Sequence, residues 1–254
     1  MLTYANLDVS YTDARAEITV NRPEKLNALN TATLRALRDL LAEIAANDAV
    51  RVVLLTGAGD RAFIAGADIA EMAALDAEGL HDCLLLGQGV AEALEELPQP
   101  VLAVVNGYAL GGGCELMLAC DVILAAETAQ IGLPEVDLAV IPGWGGTQRL
   151  PRRVGTARAL ELILTGARVP ALEALRLGLV DRVVPPERLL EGARALADVM
   201  ARKPPAALRA AKRAVRAAER LSLAEGLRRE RQAFTALFEM PERAAAMARF
   251  LRKG

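Results

Sequence analysis

Short apolar runs alternate with helical periodicities through the first half of the chain. The uninterrupted runs are rich in Val, Leu and Ile and are typical of strands covered on both faces. Between them, leucines and alanines recur at intervals of three and four, as on the buried face of a helix. Strands joined through helices of this length predict right-handed parallel crossovers and an α/β fold. The predicted strands are residues 2–9, 15–20, 52–56, 101–105 and 121–126, and Thr31 can cap the first helix, which ends near Asn47.

The second half of the chain changes character. A stretch rich in Pro and Gly, residues 127–150, carries three turn signals and is predicted to be an irregular functional segment. From Thr156 onward the sequence is almost wholly helical, with one short strand near residues 179–184. The terminal helices have too few apolar positions for a core of their own, so we expect them to pack on the β-rich core or on a neighbouring subunit. The predicted helices are residues 156–164, 170–177, 186–202, 205–219, 221–238 and 241–251.

Composition narrows the class of protein. The 254 residues can bury a large core as one domain, and a content of 53% hydrophobic but only 3% aromatic residues means that Ala, Leu and Val build it. No apolar run reaches the roughly eighteen residues of a membrane span, and the N-terminus lacks the layout of a signal peptide. We therefore expect a cytoplasmic protein without a membrane anchor.

Histidine and cysteine are too scarce for several kinds of site. His81 is the only histidine, which disfavours Ser-His-Asp, Cys-His and His-rich metal sites. Cys83, Cys114 and Cys120 are an odd number without metal-like spacing, so neither a metal site nor a disulfide framework is expected. Proton transfer, if the protein catalyses it, falls to carboxylates.

Charge is distributed unevenly along the chain. The net charge is −2, but residues 202–254 contain 14 Lys and Arg against 5 Asp and Glu. A basic segment of this kind suits nucleic acid, an acidic partner surface or a phosphorylated ligand, and a solvated helix face is an equal alternative. The basic residues are not interleaved with the aromatic side chains that RNA-binding surfaces use, so nucleic acid is the weaker of these readings.

The glycine run at residues 111–113 is the first candidate for chemistry. Glycine permits backbone angles that other residues rarely adopt, and it lets a ligand approach the backbone closely. A helix that starts here leaves its first N–H groups without partners, so they can face an oxygen that gains negative charge. Glu115 follows within an apolar run, where a carboxylate needs partners or carries a raised pKa. Taken alone, this stretch favours a structural strand-to-helix turn.

Two further loops share the layout of apolar strand, glycine-rich turn and helix. They are residues 65–69, and residues 132–146, which contain Glu135 and Trp144. Because parallel sheets gather such loops at the carboxyl ends of their strands, the three loops predict one ligand site with two glutamates. None of them matches a dinucleotide or P-loop fingerprint. Trp144 suits a core position and an acyl-pocket wall equally, and Arg149 is expected to support its loop or a subunit contact.

Together these motifs resemble the crotonase superfamily, and most closely the enoyl-CoA hydratases. The resemblance extends over nearly the whole chain, starting at R-P-E-K-L-N-A-L. The other motifs that carry it are A-G-A-D-I at 65–69, N-G-Y-A-L-G-G-G-C-E-L at 106–116, P-E-V at 134–136 and I-P-G-W-G-G-T-Q-R-L at 141–150.

This resemblance implies a fold and a kind of substrate. The fold is a spiral of ββα units over residues 1–195, followed at 196–254 by a C-terminal helical region that builds trimers, often paired into hexamers, and completes the coenzyme A site. The substrate is a coenzyme A thioester, and no metal or redox cofactor is implied. Coenzyme A would then be an anionic ligand for the basic C-terminal segment.

The resemblance also implies roles for single residues. The N–H groups of Ala67 and Gly112 would form an oxyanion hole for the thioester oxygen, while Glu115 would activate a water molecule and Glu135 would act mainly at the α-carbon. Asp68 can also cap the helix that follows it. Ten positions are expected to bind substrate or coenzyme A: Lys25, Ala28, Ala65, Ala67, Asp68, Ile69, Gly112, Gly143, Phe234 and Lys253. Gly143 would help to place the water molecule. Phe234 and Lys253 would act from the same or a neighbouring subunit.

The implied activity is the reversible syn addition of water to 2-trans-enoyl-CoA, giving 3-hydroxyacyl-CoA, in fatty acid β-oxidation or related acyl-CoA catabolism. Relatives that only shift a double bond often lack a carboxylate at the position of Glu115, so the presence of both glutamates favours a hydratase over a Δ3-Δ2-enoyl-CoA isomerase. A hydratase of a specialised branched or aromatic pathway is the other enzymatic alternative. An RNA-binding protein is a distant one.

Overall fold

Two β-sheets surrounded by helices make up the described part of the chain, residues 4–252 of a computed structural model. The strands are β1 (Leu7–Thr12), β2 (Arg15–Val20), β3 (Val52–Gly57), β4 (Ala62–Ile64), β5 (Val101–Val105), β6 (Tyr108–Leu110), β7 (Val122–Ala126), β8 (Gln130–Gly132), β9 (Val169–Pro170) and β10 (Arg182–Val184). The helices are α1 (Thr31–Ala46), α2 (Ile69–Met72), α3 (Ala77–Glu96), α4 (Gly112–Ala119), α5 (Gly146–Val154), α6 (Thr156–Thr165), α7 (Ala171–Arg176), α8 (Leu189–Ala201), α9 (Pro205–Ala217), α10 (Leu223–Phe238) and α11 (Pro241–Leu251).

The larger sheet has six strands in the order β1-β2-β3-β5-β7-β10. β1 and β2 form an antiparallel hairpin, and the other neighbouring strands are parallel. Along β3, Val53 and Leu55 pack with the buried residues of α1 and α3, whereas Val52 and Leu54 pack with those of α8, including Ala193. Burial on both faces explains the uninterrupted apolar runs and confirms the predicted parallel sheet.

The smaller sheet, in the order β4-β6-β8-β9, has no counterpart in the sequence prediction. β4, β6 and β8 are parallel to one another, and each follows β3, β5 or β7 after a short bend. Asn106 ties two of these bends together, since its Nδ2 donates hydrogen bonds to the carbonyl oxygens of Gly57 (2.9 Å) and Gly59 (2.8 Å). Pairs of strands followed by helical segments therefore repeat along the chain, which is the ββα spiral that the family resemblance implies.

Three local predictions were wrong. The first strand, predicted at residues 2–9, is β1 at Leu7–Thr12, and residues 4–6 lie outside it. Asn30 and not Thr31 caps α1, because the Asn30 Oδ1 accepts a hydrogen bond from the N–H of Thr33 at 2.9 Å. Residues 127–150 are not irregular throughout, since β8, a 3-10 turn at Glu135–Leu138 and the start of α5 lie there. Apolar periodicity reports neither the capping hydrogen bond of Asn30 nor the pairing of a strand as short as β8 with β6 and β9.

The C-terminal helices differ in how much they bury. α8 runs unbroken across the expected boundary between residues 195 and 196, and its Ala193 and Ala197 are buried on the larger sheet. α8 therefore belongs to the core, and any separate helical region begins after it. α10 and α11 contain no buried residue. Within residues 4–252, no helix has both the length and the apolar character needed to cross a membrane.

Candidate active site

The three glycine-rich loops meet at one edge of the smaller sheet. Residues 65–68 follow β4, Gly111 follows β6, and residues 133–134 follow β8. Because β4, β6 and β8 are parallel neighbours, their carboxyl ends lie side by side. The loops thus converge as predicted, although they extend from the short strands and not directly from the buried strands of the larger sheet.

The glycine run at the start of α4 has no room for side chains. Gly111 adopts a positive φ of 51°, which favours glycine. A Cβ on Gly112 would lie 2.2 Å from Cζ3 of Trp144, and one on Gly113 would lie 2.0 Å from the carbonyl oxygen of Ile64. The first turn of α4 is therefore packed directly against β4 and the indole ring.

At this edge the backbone N–H groups of Ala67 and Gly112, which the family resemblance assigns to the oxyanion hole, donate to no acceptor among the described residues, and the same holds for Gly113 and Cys114 in the first turn of α4. The two neighbours of Ala67 both form hydrogen bonds with Leu29. The N–H of Leu29 donates to the carbonyl oxygen of Gly66, and the N–H of Asp68 donates to the carbonyl oxygen of Leu29, each at 2.8 Å. In such a bridge the residue between the pairing groups points its N–H away. Gly112 is the first residue of α4, where helices leave their donors free. Both N–H groups are available to bind an oxygen atom.

Glu115 lies on the first turn of α4 and is almost fully buried, with 2% of its surface exposed. Its Oε1 accepts hydrogen bonds from the N–H groups of Trp144 at 2.8 Å and Gly146 at 2.7 Å. Burial raises the pKa of this carboxyl above its ordinary value, against the opposing effect of the two N–H groups, which favour the charged form. A buried carboxylate of this kind is suited to accept a proton.

Glu135 is the first residue of the 3-10 turn after β8. Its Oε2 is buried and has no hydrogen-bond partner among the described residues, and its Oε1 lies 3.3 Å from where a Cβ on Gly111 would be. Burial, reinforced by the negative charge of Glu115, raises the pKa of Glu135 to about 7. The charge of Glu115 therefore affects the ionisation of Glu135, and Glu135 can carry a proton near neutral pH.

The Trp144 ring fills the space behind the glycine run. It is 4% exposed, and a Cβ on Gly87 of α3 would lie 2.3 Å from its Cε2. With Gly112 in contact on the α4 side, the ring separates two helices whose glycines make room for it. Of the two alternatives that the sequence left open, the structure supports the core position.

Arg149 supports the turn that holds Glu115, as the sequence suggested. Its Nη1 donates to the carbonyl oxygen of Trp144 at 2.8 Å, across Gly145, whose φ is +108°. Its Nε and Nη2 donate to the two carboxylate oxygens of Glu95 on α3, at 2.8 and 3.1 Å. Sequence reasoning missed Glu95, because a charged residue near the end of an amphipathic helix is ordinary.

Comparison with known proteins connects this geometry to a family. A sequence profile described as enoyl-CoA hydratase/isomerase matches residues 12–254. The chain belongs to the enoyl-CoA hydratase/isomerase family. It is 42% identical over 238 residues to the short-chain-enoyl-CoA hydratase of Clostridium acetobutylicum, which covers 94% of this chain and 91% of that relative. It is 40% identical over 252 residues to the crotonyl-CoA hydratase of Syntrophomonas wolfei, which covers 99% of this chain and 97% of the relative.

Solved structures agree with this family assignment. The crystal structure of an enoyl-CoA hydratase from Bacillus anthracis matches with a TM-score of 0.96 at 44% identity, over 98% of this chain and 97% of that one. The predicted crotonase-type fold, the family and the hydro-lyase class are confirmed.

Six of the positions that the family resemblance assigns to coenzyme A lie in two touching loops. Arg22 joins these loops, because its guanidinium donates to Ala28 O and to Asp68 Oδ2, the latter at 2.9 Å. The hydrogen bond from Arg22 lowers the pKa of Asp68 despite its partial burial. Asp68 occupies the N-cap position of α2, but its side chain makes no capping hydrogen bond there. Among these positions Lys25 and Ile69 are exposed, as a ligand contact requires. The six residues are Lys25, Ala28, Ala65, Ala67, Asp68 and Ile69.

Arg22 and Asn27 are site-supporting residues that sequence reasoning missed. Asn27 is fully buried, and its Nδ2 donates to the carbonyl oxygens of Ala58 at 3.0 Å and Ala62 at 2.8 Å, while its Oδ1 accepts from the N–H of Arg22 at 3.0 Å. Both residues belong to the R-P-E-K-L-N-A-L motif that contributed to the resemblance. The motif was therefore visible, but the role of its polar residues in joining loops was not.

The remaining family positions lie apart from one another. The Gly143 carbonyl accepts a hydrogen bond from Gln88 Nε2 at 2.8 Å, so it belongs to the turn before Trp144. Phe234 lies on α10, is 66% exposed and stacks on Phe238 at 6.2 Å between ring centroids. The apolar hollow that it lines is formed by α9, α10 and α11 and includes no residue of the glycine-rich loops. Lys253 lies outside the described residues.

Proposed function

We propose that this family member catalyses the reversible syn addition of water to 2-trans-enoyl-CoA, giving 3-hydroxyacyl-CoA. The observation that carries the proposal is the convergence of two carboxyls, Glu115 and Glu135, on the sheet edge where Ala67 and Gly112 present free N–H groups. The loops that carry these N–H groups are in contact, since the Cα of Gly66 lies 3.7 Å from the Cβ position of Gly111.

The two N–H groups supply the electrophilic part of the reaction. When water adds to the double bond, negative charge moves onto the thioester oxygen and an enolate forms. Preorganised N–H groups stabilise that oxygen in the transition state, and the loss of one such donor costs about a hundredfold to a thousandfold in rate. Gly112 is well placed for this role because the start of α4 adds the positive end of the helix dipole.

The two carboxyls supply the proton transfers. Glu115, whose charged form is favoured by two N–H groups, takes a proton from the water as the water oxygen bonds to the β-carbon. Glu135, with a pKa of about 7, gives its proton to the α-carbon as the enolate collapses. The product gains one water in total, and exchange with solvent returns the proton from Glu115 to Glu135. A base, an acid and an oxyanion site complete the chemistry, so the proposal involves no metal or redox cofactor.

A short-chain coenzyme A thioester is the proposed substrate. Support comes from the printed names of two relatives, the short-chain-enoyl-CoA hydratase of Clostridium acetobutylicum and the crotonyl-CoA hydratase of Syntrophomonas wolfei. We assign the coenzyme A moiety to the paired loops that contain Lys25 and Asp68, with Phe234 and Lys253, of the same or a neighbouring subunit, completing the site. A role in fatty acid β-oxidation and a cytoplasmic location stay predictions.

We further propose that the C-terminal helices associate copies of the chain into a trimer or a hexamer. α10 and α11 bury none of their residues, yet Leu223, Phe250 and Leu251 are each more than three-quarters exposed. Apolar side chains on helices with no buried face are typical of surfaces that pack against another subunit. Light scattering coupled to gel filtration measures the state directly, and a monomer at micromolar concentration would reject this part of the proposal.

The decisive experiment follows the absorbance of the conjugated thioester of crotonyl-CoA. Wild-type protein should consume it rapidly, and Glu115→Gln and Glu135→Gln should each reduce kcat by more than about a hundredfold at unchanged circular dichroism. Thr128→Ala, an exposed position after β7, is the control that should retain full activity. Full hydration by Glu115→Gln would reject the acid-base assignment. Conversion of 3-enoyl-CoA without hydration of crotonyl-CoA would replace the hydratase with an isomerase.

A further inference from the structure

The orientation of the Glu115 carboxylate depends on one short turn. Both of its hydrogen bonds come from the residues just before and after Gly145, and both go to Oε1. Oε2 is the oxygen left to face a water molecule. A small rotation of the turn would rotate the carboxylate with it, and an error of about 1 Å in the position of a catalytic group can cost about a hundredfold in rate.

The backbone of the turn is held on one side only, where the carbonyl oxygen of Gly145 accepts hydrogen bonds from the N–H groups of Gln148 at 3.0 Å and Arg149 at 2.9 Å. Gly145 adopts a φ of +108°, and glycine at such a position has the greatest conformational freedom of any residue. The Arg149 guanidinium occupies the space beside Gly145, with Nη1 only 2.0 Å from where a Cβ would be, and it donates to the carbonyl oxygen of Trp144. The side chain of Arg149 thus reaches back over the first turn of α5 and holds the backbone in place.

Arg149 is itself held in a fixed orientation. The guanidinium and the Glu95 carboxylate form two nearly parallel hydrogen bonds, and the two side chains are 16% and 10% exposed. Such planar pairs define an orientation that a lysine could not reproduce. Glu95 also lies 3.8 Å from Arg216 and 3.6 Å from Arg220, so it remains paired with cations when Arg149 is changed.

We propose that Arg149 and Glu95 are a positioning pair, which keeps the N–H groups of Trp144 and Gly146 aimed at Glu115 during the hydration proposed above. Neither side chain acts on the substrate, and the pair exerts its effect only through the Glu115 carboxylate. The inference rests on the proposed function for its kinetic consequences, but its structural part can be tested without a substrate.

Substitution of Arg149 tests the kinetic consequence. Arg149→Gln should reduce kcat for crotonyl-CoA about tenfold or more while KM changes by less than about twofold, because the base is misdirected and the substrate contacts are intact. Arg149→Lys should lose nearly as much, since lysine keeps the charge but cannot bridge Glu95 and the turn. Full rescue by lysine would show that charge alone matters and would overturn the proposal.

A matched control comes from the same helix. Arg153, one turn further along α5, pairs with Asp181 at 2.7 Å and donates to Leu179 O at 2.9 Å, without contact to the catalytic turn. Arg153→Gln should therefore leave kcat within about twofold of wild type. An equal loss in Arg153→Gln and Arg149→Gln would mean that both act through the stability of α5, and the positioning role would be rejected.

The pathway of the effect is tested in a Glu115→Gln background. If Arg149 acts through Glu115, adding Arg149→Gln there should cost less than about twofold, because the group that it positions has already lost its function. The same tenfold loss in both backgrounds would contradict the proposal.

Fluorescence separates failure of this inference from failure of the proposed function. Trp144 is the only tryptophan in the chain, so its emission reports on this turn whether or not the protein hydrates a thioester. Arg149→Gln and Glu95→Gln should each shift the emission to longer wavelength and increase quenching by acrylamide, and Arg153→Gln should change neither. If the wild type were inactive but the variants showed these shifts, only the proposed function would be rejected. If the wild type were active and Arg149→Gln changed neither the emission nor kcat, only the positioning pair would be rejected.

Discussion

Glu135→Gln should stabilise the fold at alkaline pH while it removes activity. The carboxyl is partly buried, and its Oε2 has no hydrogen-bond partner among the described residues. Burial and the charge of Glu115 raise its pKa from 4.5 to about 7, which means that ionisation is opposed by the folded state. Glutamine has the same shape without the charge, so it avoids this cost.

The magnitude follows from linkage. A pKa that rises on folding stabilises the protein below the unfolded value of 4.5, and this stabilisation is lost as the pH rises to about 7. At about 1.36 kcal/mol for each pH unit, the full effect would be about 3 kcal/mol. Because part of the Glu135 side chain remains in solvent, we reduce the expected value to about 2 kcal/mol.

Urea unfolding at pH 5 and pH 8 measures the effect. The stability of Glu135→Gln relative to wild type should increase by about 2 kcal/mol between the two pH values, at equal protein concentration so that any assembly contributes equally. Glu127→Gln changes an exposed carboxyl and should give the same difference from wild type at both pH values. A Glu135→Gln difference that does not depend on pH would refute the argument that burial opposes ionisation.

Other perturbations probe the acid, the oxyanion loop and the ion pairs behind α4. The kcat/KM for hydration should decrease at low pH as Glu115 gains a proton and should also fall above about pH 7 as Glu135 loses its proton, and a profile without an alkaline fall up to pH 9 would contradict the assigned acid. Gly112→Ala should reduce kcat about a hundredfold because its Cβ meets Trp144 at 2.2 Å and displaces the N–H, whereas Gly87→Ala, which meets the same ring at 2.3 Å, should cost much less. Asp121→Asn should destabilise the fold by about 3 kcal/mol, because it leaves the buried Lys212 without its carboxylate, and an unchanged urea midpoint would argue against that ion pair.

Sequence periodicity was sufficient for the larger sheet and for most helices. Strands such as Val101–Val105 are buried on both faces, and that burial demands the continuous apolar run by which they are found. The smaller sheet was not found in this way, because its strands have only two or three residues and β4, β6 and β8 each follow a longer strand after a short bend. Side chains such as Asn106 define them by holding neighbouring bends together, and that contact joins residues distant in sequence.

The candidate site was predictable where the backbone alone determines it. Glycine at 111–113 and carboxyls in apolar surroundings are visible as residue types, and their motifs led to the family. The supporting residues were not visible. Arg22, Asn27 and Glu95 are polar residues in ordinary positions, and their roles arise only when the fold brings Asp68, Ala62 or Arg149 next to them.

The basic C-terminal segment has a role that its composition did not indicate. Arg216 of α9 donates to the carbonyl oxygens of Ala119 at 2.9 Å and Cys120 at 3.0 Å, which end α4, and to Asp121 at 3.1 Å. Lys212 pairs with the same aspartate at 2.6 Å.

These cations lie at the negative end of the helix whose positive end presents Gly112. A cation at a helix C-terminus stabilises the helix dipole by about 0.3–1 kcal/mol, and more where it is partly buried. Part of the positive charge therefore stabilises α4 itself, which carries both a proposed oxyanion donor and Glu115. The glycines at 111–113 lower the intrinsic stability of this helix. The contacts from α9 offset that loss, so the C-terminal region contributes to the site by stabilising α4 from behind as well as by any contact with coenzyme A.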